Sequence, residues 1–527
     1  MGTLDGDPTK KGITEASRHV FKNDVTVEAV SSPHVEELEG ARVRRNKSVT
    51  LMESHRAAVG EVELTSIFDR QRSAFLRQGP PSLAQRKADL RMLKEAILAR
   101  RDQFSEAVNQ DFGHRSHQET AYMDLMPVVE GIGYLRRNLA TWMQPEVREV
   151  APHFQPSSNQ IMYQPLGVVG IISPWNHPVA LALMPLATAL AAGNRAMLKP
   201  SELTPATSAL LAAMLADGFA EDQVAVITGD AEVAAAFSSL PFDRILFTGS
   251  TAVGRAVMRT ASANLTPVTL ELGGKSPAIV QRGSSLQRAA HNIAFGKLAN
   301  AGQTCIAPDY VLVAAEDLNA FVAAFESEVA VLYYAIAINP DYATIINDRH
   351  YSRLRGLLDD ARAKGAHIRQ IGPGDDQRRT HPRTFLPVVV TGVTQDMALA
   401  TEEIFGPILP VIPYRTLEEA IAFVNARPRP LALYFFGAAG GPALAQVLER
   451  TTSGNVTVND TLLHYVQDDL PFGGVGASGM GTYHGHEGFK TMSHAKGVFV
   501  QSGLNITDAI RPPFGQTFDD AVNQLLR

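Results

Sequence analysis

From Ile161 onward the chain alternates short apolar runs with longer segments of helical period. LGVVGIIS, RAMLKPS, QVAVITGD, DRILFTGS and PVTLELGG are each of strand length and close on Gly, Ser or Asp. The alternation resumes after Cys305 with YVLVAA, FLPVVVTG, PILPVIPY and SGNVTVND. Strands alternating with helices predict a mainly parallel sheet wound in the α/β manner, and two such blocks predict two successive α/β units. Upstream, order is expected to begin near Leu64. Ser82 and Gln85 have capping-box spacing, and Leu90, Leu93, Ile97, Phe104 and Val108 recur at helical intervals. Gly113 is placed to end that helix. The longest apolar run, Val179 to Gly193, is interrupted by Pro185. It is shorter than the ~20 residues that cross a bilayer, so it predicts a buried helix, and no transmembrane span is expected.

Residues 1–60 break the pattern. They are mixed in charge, poor in large apolar side chains and without sustained period, which predicts a disordered N-terminal extension. Arg42, Arg44, Arg45 and Lys47 could meet an anionic surface, although a solvated tail is the commoner outcome for such a cluster. Met52 is a second candidate start, which would leave residues 1–51 outside the native protein. The segment has no apolar signal core, and Asp5, Asp7 and Glu15 do not suit an acid-poor transit peptide. A cytoplasmic location is expected. The other end, TFDDAVNQLLR, contains nothing that spans a membrane.

Composition changes this picture little. The 527 residues exceed one ordinary core, and 45% hydrophobic with 19% charged residues is usual for a globular protein. The 48 basic and 54 acidic side chains give a net charge of −6, which argues against a nucleic-acid binder. A single cysteine excludes an intramolecular disulfide and multi-cysteine metal sites, and no metal is expected.

Four stretches carry candidate chemistry. In ANAGQTCIAPDY, Cys305 follows a helical segment in a Gly-Gln-Thr-Cys turn, where backbone N–H groups could favour a thiolate. By residue type alone a lone cysteine is more often a small buried hydrophobe. In VTLELGGKSP, Glu271 ends an apolar strand. It can be read as a solvated strand end or as a general base. In PWN, Asn176 offers an amide to a developing oxyanion, or is only a turn residue. In FTGSTAVGRAV, Gly249 and Ser250 open a helix as at a dinucleotide phosphate, although the stretch is not G-x-G-x-x-G and an ordinary strand-to-helix turn fits as well.

Taken together and in order, these stretches have a family likeness. PWNHP, KPSE, FTGST, LELGGK, GQTC, EEIFGP and LPFGG resemble the aldehyde dehydrogenase superfamily over residues 64–503. GQTCIAPDY, IINDRH, NDTLLHYVQDDLPFGGVG and SGMGTYHGHEGF look like its class 3-like branch, and most like bacterial coniferyl aldehyde dehydrogenases. VLYYAIAINPDY and HPRTFLPVVV depart from that branch away from the chemistry.

The resemblance implies an α/β fold with a Rossmann-type NAD-binding domain (64–147 and 164–272), a catalytic domain (273–466) and an oligomerisation element (148–163 and 493–503). It implies oxidation of an aldehyde to the acid, with Cys305 as nucleophile, Glu271 as the base for thioester hydrolysis and Asn176 in the oxyanion hole. Lys199, Glu202, Gly249, Ser250, Glu403 and Phe405 match cofactor positions, and the Glu202 carboxylate favours NAD while leaving NADP possible. Trp175, Tyr122, His464 and Tyr465 match the substrate tunnel, in the segments Tyr122–Met126 and Asp460–Val466. The expected substrate is coniferaldehyde or another aromatic aldehyde, with a medium-chain or fatty aldehyde as the alternative, and the expected assembly is a homodimer. Glu271 argues against transfer of the thioester to coenzyme A, which needs no water-activating base. Cys305, Glu271 and Asn176 together argue against a catalytically retired structural protein.

Overall fold

The computed structural model describes residues 60–372, 381–503 and 511–526, so the expectation for residues 1–60 lies almost wholly outside the described residues. Sixteen strands make three sheets among them. They are β1 (Glu146–Arg148), β2 (Ser158–Pro165), β3 (Val168–Ile172), β4 (Arg195–Lys199), β5 (Val224–Val226), β6 (Arg244–Thr248), β7 (Val268–Glu271) and β8 (Pro277–Val280). After these come β9 (Tyr310–Ala314), β10 (His367–Gln370), β11 (Val388–Thr391), β12 (Ile408–Tyr414), β13 (Ala432–Phe436), β14 (Asn455–Val458), β15 (Gly479–Met480) and β16 (Ser493–Val500).

The six-stranded sheet has the order β15-β7-β6-β3-β4-β5 and is parallel except for β15. The seven-stranded sheet has the order β10-β11-β12-β9-β8-β13-β14 and is parallel except for β10. These are the two α/β units expected from the alternation. The third sheet, β1-β2-β16, is antiparallel and holds the segments 148–163 and 493–503 together. Strand β15 joins the first sheet from far beyond residue 272, so that layer draws on more of the chain than 64–272.

Register sets up the site. Ile172 pairs with both Lys199 and Phe247, and Thr248 pairs with Glu271, so β3, β4, β6 and β7 end level with one another. The chain runs outward from β3 through β4 to β5, then returns to the other side of β3 with β6 and β7. Such a reversal leaves a crevice at the carboxyl ends of the strands, here between β3 and β6. Lys199 and Glu271 end β4 and β7 at that edge, and the loops carrying Asn176 and Gly249 leave from it.

The helix Ala180–Ala192, apolar but for Thr188, runs with every residue buried between the layers and ends at Gly193 in the left-handed region. Its Pro185 leaves it helical. The helix expected over 82–113 is two, Leu83–Ala99 and Arg101–Phe112. Arg100 leaves helical geometry between them, so the apolar spacing continues across a break it did not reveal. Ser82 caps the first, accepting from the Gln85 N–H at 3.2 Å, and Gly113 ends the second in the left-handed region. The stretch Ala315–Ile338 has the length and mean hydropathy (1.6) of a spanning helix. It is built as the helix Leu318–Leu332 between two short 3-10 turns, and Phe321, Val322, Phe325 and Val329 face the main core.

Candidate active site

Three successive residues before the cysteine, Asn300, Ala301 and Gly302, take positive φ (52°, 50° and 76°). Two of them carry a Cβ, a conformation that costs about 1–3 kcal/mol and persists where neighbours enforce it. Here they do. Asn300 Nδ2 donates to the Asn176 carbonyl (2.9 Å) and the Gln303 carbonyl (3.1 Å). Gln303 Nε2 donates to the carbonyls of Asn300 (2.9 Å) and Thr344 (3.0 Å), and its Oε1 accepts from the Ile346 N–H (2.9 Å). At Gly302 a Cβ would overlap the Gly406 carbonyl. The turn therefore packs backbone on backbone, and of residues 299–310 only Cys305 is left partly accessible.

The electrostatics correct one expectation. The backbone N–H groups of Cys305 and Ile306 do face the sulfur and favour its thiolate. Burial, with Glu403 and Glu271 nearby, outweighs them and pushes the thiol up to about 12. At rest Cys305 is a protonated thiol. Glu271 is 2% exposed, and neither carboxylate oxygen has a partner among the described residues. Desolvation holds its carboxyl well above the usual range. Burial thus favours the protonated form of both groups.

Asn176 lies in the loop after β3, buried, with its carbonyl held by Asn300 and by Arg115 Nη1 (3.2 Å). No described residue takes a hydrogen bond from its side-chain amide, which leaves that donor for a ligand. Trp175 packs between Phe112, His350 and Phe405, at ring distances of 6.2, 5.0 and 5.5 Å. Tyr465 is half-buried, edge-on to Phe472 and near the Cys305 sulfur. His464 is buried, stacked on Phe472 at 6.0 Å, with Nδ1 2.7 Å from Thr457 Oγ1. Burial pushes its imidazole down to about 4. Tyr122 is 45% exposed, with its ring 6.5 Å from Phe295.

The residues that could hold a nicotinamide dinucleotide sit along the same edge. Ser250 caps the helix Thr251–Ala261, accepting from the Val253 N–H at 3.4 Å, and the first N–H groups of that helix open onto the crevice. Lys199 is buried at the end of β4 and donates to the Pro200 carbonyl (2.9 Å) and Glu202 (3.4 Å). Burial lowers its ammonium pKa against the pull of Glu202. Glu202 itself is 46% exposed at the side chain. Glu403 lies against Gly273, where a Cβ would overlap its carboxylate, and accepts from the Gly274 N–H. Burial pushes its carboxyl up to about 7. The neighbouring Phe405 has φ 49°. The loop bearing both is clamped: Arg353 donates to the carbonyls of Glu403 and Ile404, and Asp309 accepts from the Ile404 N–H at 2.8 Å. Lys275 pairs with Asp309 and donates to the carbonyls of Leu399 and Glu402, each at 2.8 Å. A glycine cradle, a capped helix start and a carboxylate held beside them suit a dinucleotide with ribose hydroxyls.

Several of these residues stood in the motifs without an assigned role: Asn300 and Gln303 before Cys305, and Lys275 in LELGGK. Arg115 and Arg353 gave no signal, because their partners are distant in the chain.

A sequence model of the aldehyde dehydrogenase family matches residues 47–498. The chain is 52% identical over 463 residues to a probable coniferyl aldehyde dehydrogenase of Pseudomonas aeruginosa, covering 88% of this chain and 96% of that one. It is 47% identical over 472 residues to the coniferyl aldehyde dehydrogenase of a Pseudomonas species, covering 89% and 98%. Among solved structures, the substrate-bound state of a Staphylococcus aureus AldH superposes with a TM-score of 0.82 at 36% identity, over 88% of this chain and 99% of that one. A Mycobacterium tuberculosis aldehyde dehydrogenase complexed with NAD+ gives 0.76 at 29% identity, over 85% and 92%.

Proposed function

The chain belongs to the aldehyde dehydrogenase family and oxidises an aldehyde to its acid with NAD(P); from that premise we propose that its substrate is a conjugated aromatic aldehyde of the coniferaldehyde kind, and its preferred cofactor NAD. The observation that carries the site assignment is the accessibility of Cys305 alone in an otherwise buried turn, with Glu271 beside it. Cys305 gives up its proton to water and attacks the carbonyl carbon as the thiolate, giving a thiohemiacetal. Its own N–H and the free Asn176 amide hold the oxygen that becomes negative. A nicotinamide dinucleotide held by Lys199, Glu202, Ser250 and Glu403 would supply the acceptor for the hydride that the tetrahedral carbon loses, and Cys305 then carries a thioester. Glu271, in its carboxylate form, then takes a proton from water as the water attacks the thioester; the C–S bond breaks, the acid is released and the proton passes to the Cys305 thiolate.

Trp175 and Tyr465 supply flat surfaces for an aromatic substrate, and the similarity to two coniferyl aldehyde dehydrogenases supports that choice. Glu202 supports NAD, because a half-exposed carboxylate near the ribose repels a 2′-phosphate. A homodimer is supported by the outer edge of β16, where Phe499 and Val500 are half exposed beside unpaired backbone groups. A kinetic panel of coniferaldehyde, benzaldehyde and octanal with NAD and NADP tests the reading. It expects kcat/KM highest for coniferaldehyde with NAD and free acid as product. Octanal preferred tenfold, or acyl-coenzyme A formed in place of acid, would replace it.

A further inference from the structure

Beneath the Asn176 loop lies a charged cluster that the reaction does not use. Arg115 and Asp124 are both fully buried and pair at 2.9 Å, and Glu119 meets Arg115 at 3.2 Å. Asp124 lies in the π-helical turn Ala121–Leu125, which carries Tyr122 outward and Asp124 inward. Its Oδ1 accepts from the N–H groups of Val179 and Ala180, both at 3.1 Å, and so caps the buried helix Ala180–Ala192. Its Oδ2 lies 3.4 Å from His177 Nδ1, which is 3.3 Å from Arg115 Nη2. The other ring nitrogen, Nε2, lies 3.0 Å from Thr304 Oγ1.

Nδ1 faces both the Asp124 carboxylate and the Arg115 guanidinium, and we assign the tautomer from the carboxylate, to which Arg115 Nη2 is bound more closely. Arg115 already donates to the Asp124 carboxylate, so the carboxylate favours the imidazole tautomer with its hydrogen on Nδ1. Nε2 is then an acceptor, and the Thr304 hydroxyl donates to it. Burial keeps the ring neutral against the pull of Asp124. Arg115 also donates to the Asn176 carbonyl, the atom that Asn300 holds from the other side. One buried set therefore grips the backbone of the oxyanion donor and the residue preceding the nucleophile, and these come from different α/β units. Apolar side chains would fill this volume at lower desolvation cost, so a buried ion pair here speaks for geometry more than for stability.

We infer that Arg115, Asp124 and His177 are positioning residues that set Thr304, and through it Cys305, at a fixed distance from the Asn176 amide. The inference rests on the assigned roles of Cys305 and Asn176. A displacement of about 1 Å between reacting groups costs about 100-fold in rate.

The test compares His177→Phe, Thr304→Val and the double variant in the full-length enzyme with coniferaldehyde and NAD. Each single variant is expected to lose about 10- to 100-fold in kcat, with KM and the NADH dissociation constant within about twofold of wild type. The double variant should lose no more than the worse single one, because both remove the same hydrogen bond. His177→Gln, whose amide oxygen can still accept from Thr304, should recover most of the loss. A folded His177→Phe with kcat within threefold of wild type overturns the proposal, as do losses that multiply in the double variant. Where His177→Phe does not fold, an unchanged kcat in the near-isosteric Thr304→Val overturns it. Cys305→Ser separates the underlying reading: activity retained there refutes the nucleophile, whatever His177 does.

Discussion

The side chain of Asn300 donates at 2.9 Å to the main-chain oxygen of Asn176, joining the turn of the nucleophile to the loop of the oxyanion donor. It does so from a left-handed backbone conformation, with its own Oδ1 buried and without a partner among the described residues. Asn300→Ala removes the tie and leaves two carbonyls short of a donor, at a cost of about 1–3 kcal/mol. The expected result is a lower melting midpoint and a kcat reduced about 10- to 100-fold. Asn300→Asp keeps the tolerance for positive φ but sets a carboxylate against two carbonyls, and should be at least as impaired. Steady-state rates with differential scanning calorimetry check both.

Glu271 should make the enzyme less stable as pH rises. Its folded pKa lies well above the unfolded value of 4.5, because burial disfavours the charged form. The stabilising contribution of the neutral carboxyl is complete below that unfolded value and is lost as pH rises through the folded one. Glu271→Gln is always neutral and escapes the loss. Its melting midpoint should match wild type near pH 5 and exceed it increasingly toward pH 9, at matched scan rates. A constant difference across that range would refute a desolvated carboxyl. The same variant should give a burst of NADH and then stall at the thioester.

Because Cys305 is the only cysteine, alkylation reports on it alone. With the thiol pushed up to about 12, iodoacetamide should react with the free enzyme slowly at pH 7 and about tenfold faster per pH unit upward, without a plateau below pH 10. Burial is the largest cause and the Glu403 carboxylate the next. Glu403→Gln should therefore speed alkylation at fixed pH. A plateau near pH 8 would mean that the two N–H groups at the sulfur outweigh burial.

What could be read in advance follows from range along the chain. The parallel strands announced themselves as apolar runs, and β3, β4, β6 and β7 each fell where LGVVGIIS, RAMLKPS, DRILFTGS and PVTLELGG put them. Their common edge was not legible, because register is a relation between strands far apart. Strands β8 and β13 are as apolar as the others, yet PAIV and ALYFF were not separated from the segments flanking them. The same limit hid the cluster under Asn176. Asp124 and His177 are 53 residues apart; Asp124 stood in a segment read as tunnel wall and His177 in a motif without a role, and the π-helical turn points Asp124 inward to the ring. The state of Cys305 was misjudged for a related reason. The N–H groups in its turn are local, whereas the two carboxylates that oppose them arrive from β7 and from the loop before β12.

Gly273 separates cofactor binding from chemistry. A methyl group there would overlap the Glu403 carboxylate, which lies flat on the Gly273–Gly274 backbone and accepts from the Gly274 N–H. The loop bearing Glu403 cannot simply retreat, because Arg353, Asp309 and Lys275 hold its backbone from three sides. In Gly273→Ala the carboxylate must therefore rotate away, since a long side chain moves more readily than a clamped backbone. If Glu403 holds the nicotinamide ribose, KM for NAD should rise tenfold or more, while KM for the aldehyde changes little. The melting midpoint of the free enzyme should shift only modestly, as Glu403 lies outside the apolar core. Titration of NADH fluorescence reads the binding loss directly. An unchanged NADH affinity, with the overlap relieved by rotation, would remove Glu403 from the cofactor site.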